Sequence, residues 1–164
     1  MKPPKLTLVA PADITLRSSD GEDFRVCRNN LETCSEGFIG PPSCANSEVV
    51  WLTESSDVLR LLLQFMGQDL KVPDLKTLPF AKLAELSEAV EKYQVHKAID
   101  ICESHIENAA AQPIEVLTYA LKHDHRSTAD AAARETIRME VSDVLNTLPP
   151  EYHVYWVSRY VVCA

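Results

Sequence analysis

The chain has 164 residues, 46% of them apolar and 24% charged, an ordinary globular balance with enough apolar material for a sizeable core in one domain or a domain with a small appendage. Its net charge is −8, distributed as +1 over residues 1–28, −7 over 29–107 and −2 over 108–164, so no block carries the basic footprint of direct nucleic-acid binding or of docking on an anionic membrane. No stretch approaches the roughly 20 apolar residues of a membrane span.

The five cysteines, Cys27, Cys34, Cys44, Cys102 and Cys163, are odd in number and show no disulfide framework. The opening residues, Met1 to Lys5, carry two prolines and two lysines without the apolar segment of a secretory leader. A reducing compartment follows as the expectation, with the cysteines acting as small hydrophobes and the chain intracellular, in cytoplasm or nucleus.

Residues 1–12 hold Pro3, Pro4 and Pro11 and read as a flexible arm, in which Leu6, Leu8 and Val9 are candidates for a short edge strand. Asp13 to Arg17 then alternates polar and apolar residues. Asp20-Gly21 separates it from Phe24-Arg25-Val26, a strong hairpin signal because the turn needs positive φ. Ile14, Leu16, Phe24 and Val26 share one buried face in this reading. Arg28 to Phe38 reads as a helix through Leu31, Cys34 and Phe38, stopped by Gly40-Pro41-Pro42, with a loop over 41–47. Glu48 to Leu52 is β-branched and aromatic, hence a strand.

Thr53-Glu54-Ser55-Ser56 supplies helix caps, and Val58, Leu59, Leu62, Leu63 and Met66 mark an apolar helical face that Gly67 ends. After a connector with Pro73 and Pro79, helical spacing returns at Leu83, Leu86, Val90 and Tyr93, and after a break near Val95-His96 at Ala98, Ile99, Cys102 and Ile106. Gln112-Pro113 opens a further helix, with Val116, Leu117 and Ala120 inward. Ser127-Thr128 precedes an alanine-rich helix over Ala129 to Met139, and Ser142 caps a last short helix through Leu148, terminated by Pro149-Pro150. The aromatic tail Glu151 to Ala164 takes no assignment. Few early strands followed by a run of helices predict an α+β fold, a small sheet covered by helices with a C-terminal helical extension.

Asp13-Ile14-Thr15-Leu16-Arg17-Ser18-Ser19-Asp20-Gly21 followed by Phe24-Arg25-Val26 resembles the opening hairpin of BTB/POZ domains, whose small sheet is mixed. Cys27-Arg28, Leu31, Ser35 and Phe38 continue at the family's spacing. Val50-Trp51-Leu52-Thr53-Glu54 with Val58-Leu59, Leu62-Leu63 and Phe65 resembles the next strand and helix, and Ala89-Val90-Glu91-Lys92-Tyr93 the family's recurrent Ala-x-x-Lys-Tyr segment. The Ser-Ser-Asp-Gly turn and the Leu-Thr-Glu strand end look most like fungal members, and Pro113 to Ile137 like their helical extension. The likeness covers residues 13–140 and implies residues 13–110 as the domain and 111–164 as the extension and tail. Three departures stand out. Cys27 replaces the usual histidine, the first helix stops at Gly40-Pro41-Pro42, and Gly67 follows Phe65-Met66 where an aromatic is usual.

The resemblance implies a protein-interaction module without catalytic residues, metal or cofactor. Its expected partner is a protein, with a homodimer first. A substrate-adaptor role for a cullin-type ubiquitin ligase and a transcriptional role through a corepressor are the alternatives. Asp13 and Arg28 match a charged pair at the dimer interface of some members, or else are solvated charges at strand and helix ends. Leu31, Cys34 and Phe38 mark the candidate interface helix. Chemical alternatives are weak. No Cys-x-x-Cys unit supports zinc, Cys102 and His105 sit one helical turn apart with the core as the simpler reason, and His123-Asp124-His125 suits a helix C-terminus. Four unclustered glycines make no phosphate-binding loop.

Overall fold

The computed structural model describes residues 12–38, 49–67, 72–109 and 111–161. The expected arm and its edge strand, the Gly40-Pro41-Pro42 stop and the 41–47 loop thus lie outside the described residues, save for Ala12 at the arm's end. The chain divides into two compact units, Met1–Cys102 and Glu103–Ala164.

The first unit starts with the hairpin. Strand β1 (Ile14–Arg17) pairs antiparallel with β2 (Asp23–Val26) in the register Ile14 to Val26 and Leu16 to Phe24. Period-2 alternation therefore sends all four apolar side chains to one side, where each is at most 9% exposed. The loop runs from Ser18 to Glu22, with Gly21 N–H donating to Ser18 O at 3.0 Å and Gly21 at φ +85°, where a side chain would be strained. Helix α1 (Arg28–Cys34) follows, then strand β3 (Val49–Trp51), which pairs parallel with β1 to give the mixed sheet order β2-β1-β3.

Helix α2 (Ser56–Met66) buries Val58, Leu59, Leu62, Leu63, Phe65 and Met66. At about 1.5–3 kcal/mol per fully buried large apolar side chain, it is a principal contributor to this core. Gly67 ends it, but at φ −79° and ψ 137°, in extended rather than left-handed backbone. A 3-10 turn (Leu75–Thr77) leads to α3 (Phe80–Tyr93), whose buried side chains include Leu83, Leu86, Ala89, Val90 and Tyr93. Helix α4 (His96–Glu107) buries Ala98, Cys102 and Ile106 completely.

The first helix is shorter than its spacing predicts. It stops at Cys34, and Ser35 is extended at φ −151° and ψ 154°. The reason is tertiary: Ser35 bridges Val95, and Gly37 N–H donates to Tyr93 O at 2.9 Å. A Cβ on Gly37 would stand 2.5 Å from Tyr93 Cα, so only glycine lets this segment reach α3. Phe38 therefore lies beyond the helix and stacks on Tyr93 with ring centroids 4.3 Å apart.

The second unit is helical. Helix α5 (Pro113–Lys122) starts on its proline, and α6 (Arg126–Thr136) packs on it. Small buried residues, Ala120 on α5 and Ala129, Ala132 and Ala133 on α6, allow a close approach. Ser127 and Thr128 lie inside α6 rather than before it, because His125 takes the N-cap position and Thr128 Oγ1 donates to Glu103 at 3.0 Å. Helix α7 (Val141–Thr147) ends at Leu148, with Pro149 in extended backbone. Pro150 then opens α8 (Pro150–Trp156), which continues as a π-helical turn (Val157–Val161). Through Val161 the aromatic tail is thus helical and packs on α6. Trp156 is 1% exposed, its Nε1–H donates to Thr136 Oγ1 at 3.0 Å, and Tyr160 O–H donates to Asp130 at 2.7 Å.

Candidate functional site

The sheet has one face on the core and one outward. Along β3 the alternation places Val49 and Trp51 outward, 38% and 67% exposed. Register then builds two rows across that face, Asp23–Arg17–Trp51 and Arg25–Thr15–Val49. The Arg17 guanidinium makes a two-point pair with Asp23, at 2.5 and 2.7 Å, and its carbon stands 4.9 Å from the centroid of the Trp51 ring. The pair lowers the Asp23 carboxyl and raises the Arg17 guanidinium from their ordinary values, chiefly through those hydrogen bonds. A planar guanidinium held by a carboxylate and laid on indole is a rigid patch of mixed chemistry. Trp51 was legible as a strand residue only. Its position opposite Arg17 depends on a parallel pairing with β1 that no local spacing announces.

Two polar clamps fix the loops that leave the sheet. Asp20, in the hairpin loop, accepts from Ser56 N–H at 3.0 Å and from Ser56 Oγ at 2.7 Å. Hydrogen bonds from Ser18 and Ser56 hold its carboxyl down at about 2. The cap of α2 thus comes from the hairpin, and the Ser55 side chain makes no cap bond. Glu54, just after β3, accepts from Lys92 Nζ at 2.7 Å and from Tyr93 O–H at 2.6 Å. Burial alone would raise the Glu54 carboxyl, but these bonds outweigh it and hold it below its ordinary value. Burial and the bond to Glu54 push the Tyr93 hydroxyl well up. The Ala89-x-x-Lys92-Tyr93 segment is therefore a fastening: its lysine and tyrosine grip the end of β3 while the ring carries Phe38.

Asp13 and Arg28 do come together, through the backbone: Arg28 N–H donates to Asp13 Oδ1 at 2.7 Å, so the carboxylate satisfies an otherwise orphaned amide of the first turn of α1. Leu31 is 2% exposed and belongs to the core, whereas Cys34 and Phe38 are half-buried, with Cys34 Sγ 3.6 Å from Met66 O. The outward residues of α1 are Asn29, Glu32 and Thr33.

Among the described residues, no group of three or more His, Cys, Asp or Glu is placed to hold a metal ion. Cys102 is completely buried, and burial pushes its thiol up to about 11, so at neutral pH it carries almost no thiolate, the nucleophilic form. His123 follows α5 directly as its C-cap, and His125 precedes α6; both rings lie against Tyr119, at 4.8 and 5.6 Å between centroids. His125 Nδ1 stands 3.2 Å from Glu103. No helix among the described residues is long and apolar enough to cross a membrane.

A small mixed sheet covered by helices, with polar side chains holding its loops to helices, defines an α+β scaffold. A family model of the BTB/POZ domain matches residues 9–110, and the chain belongs to that family of protein–protein interaction modules. Among solved structures it is similar to the BTB domain of zebrafish PATZ1, with 26% identity, 60% of this chain and 77% of that chain covered, and a TM-score of 0.47. No curated protein matches the chain.

Proposed function

We propose that the chain is a non-enzymatic protein–protein interaction module that self-associates and recruits a further protein, with residues 13–110 as the interaction domain and 111–164 as a helical extension. The observation that carries this reading is the outer sheet face, where Trp51, 67% exposed, lies beside Arg17 and Val49. Tryptophan and arginine are the residue types most enriched among interface hot spots. The same face offers Asp23 and Arg25, both exposed, so a second copy related by a two-fold axis presents complementary charges to it. Arg28 with Cys34 and Phe38 is the alternative contact between the same two copies.

Sedimentation at tens of micromolar tests the reading. A dimer is expected, and Trp51→Ala weakens it by about 30-fold or more, the size of a hot-spot truncation. A chain that is only monomeric sinks self-association. A Trp51→Ala dimer of unchanged affinity moves the contact to α1, where Arg28→Glu must then dissociate it. Recruitment of a cullin scaffold or a corepressor is the finer form of the proposal, decided by which protein co-purifies. Kinship with fungal members belongs to the same proposal and rests on the Ser18-Ser19-Asp20-Gly21 turn and Leu52-Thr53-Glu54.

A further inference from the structure

The second unit holds a cavity of about 520 Å³, within the size range of ligand pockets, outside the residues that the family model matches. Its walls combine three carboxylates, Asp124, Asp130 and Glu151, with tyrosine rings from α8 and the turn beyond it. Tyr155 and Tyr160 meet edge to face with centroids 6.0 Å apart. The Arg159 guanidinium carbon stands 5.8 Å from the centroid of each ring, and its Nε is 3.7 Å from Asp130 Oδ1. Two tyrosine faces and a carboxylate around one guanidinium are the recognised chemistry for arginine, which stacks on aromatic rings and takes carboxylates in its plane.

Arg159 holds this place through a hydrogen bond with Tyr160 and the two ring faces, without a direct bond to Asp130. Its side chain is 51% exposed, and the contact to Asp130 is longer than a hydrogen bond. Asp130 is itself 41% exposed and already accepts from Tyr160 O–H, with lone pairs left for a second donor. Arg126 is paired with Asp124 instead, at 3.3 Å. The backbone that carries Arg159 and Tyr160 is the π-helical turn Val157–Val161, a rare conformation frequent at functional sites.

We propose that this cavity is a receptor for an arginine side chain of a partner protein, with Arg159 as the internal occupant that yields to it. The bound arginine takes the place of the Arg159 guanidinium beside Tyr155 and Tyr160 and pairs with Asp130, while exposed Glu151 adds attraction. The site then reads a basic residue through charge and ring stacking together.

The test is a nuclear magnetic resonance titration of the full chain with two end-blocked tripeptides, Gly-Arg-Gly and Gly-Glu-Gly. Removing the internal occupant in Arg159→Ala is expected to tighten binding of the arginine peptide by about tenfold, the worth of one vacated cation–π position. Adding Asp130→Asn is expected to abolish that gain, and the acidic peptide gains nothing. An arginine peptide bound no tighter by Arg159→Ala overturns the proposal, as does a gain that survives Asp130→Asn or one shared by the acidic peptide. Arg159→Gln, which keeps most of the side chain, gives the same decision if the alanine variant does not fold.

Discussion

The two units of this chain are built on different plans. In the first, polar side chains span long stretches of sequence: Asp20 holds Ser56, Glu54 holds Lys92 and Tyr93, and Gly37 lies against Tyr93. In the second, α5 and α6 close on small alanines, and one large indole locks the tail onto α6. The difference teaches where each is vulnerable. The first unit is tied by many directional contacts, each modest; in the second, one buried ring carries much of the hold on the tail.

Trp156→Ala should therefore have the largest effect. A lost buried aromatic costs about 3–5 kcal/mol. Hydrogen exchange is expected to show protection lost over α6 to α8 and kept in the β1–β2 hairpin; equal loss in both would break the contrast. Gly37→Ala comes next. Its new Cβ meets backbone, not a yielding side chain, so a cost of about 1–3 kcal/mol is expected from strain, read as a lower denaturant midpoint with exchange rising at Ser35 and Val95. Tyr93→Phe keeps the ring on Phe38 and removes one bond to a carboxylate, a loss of about 1–2 kcal/mol.

The smallest effect is on pH. Asp20 and Glu54 both have carboxyls depressed in the folded chain, so their stabilisation is complete above the unfolded carboxyl range and is lost as pH falls through the folded values. For Asp20 that window runs from about 4 down to about 2. A carboxyl carbon titration should give Asp20 a midpoint near 2, moving up toward the ordinary range in Ser56→Ala. An Asp20 midpoint of about 4 in the unchanged chain would remove the hairpin as the cap of α2.

The same contrast explains what the sequence makes legible. The hairpin and α2 follow from local pattern, since period-2 alternation around Asp20-Gly21 and the spacing Val58, Leu59, Leu62, Leu63 fix their own faces. The end of α1 does not. Leu31, Cys34 and Phe38 keep helical spacing, yet the bridge from Ser35 to Val95 overrides it from sixty residues away. At Pro149-Pro150 the local signal is ambiguous in kind, because proline ends one helix and is equally suited to the first position of the next. Trp156 could have been found by asking which tail residue completes a helical face after Pro150. The outer sheet face was not readable in the same way, because the spacing of Arg17 and Trp51 carries no trace of their pairing. Asp13 and Arg28 are joined through the backbone amide of Arg28, a bond that residue identity at Arg28 does not specify.

The chain's two tryptophans lie one in each unit, Trp51 at 67% exposure and Trp156 at 1%. Their indoles therefore emit at opposite ends of the fluorescence band, the wet ring at long wavelength and the dry ring at short. Each unit carries its own built-in optical reporter, and a quencher dissolved in the buffer silences the first while leaving the second bright.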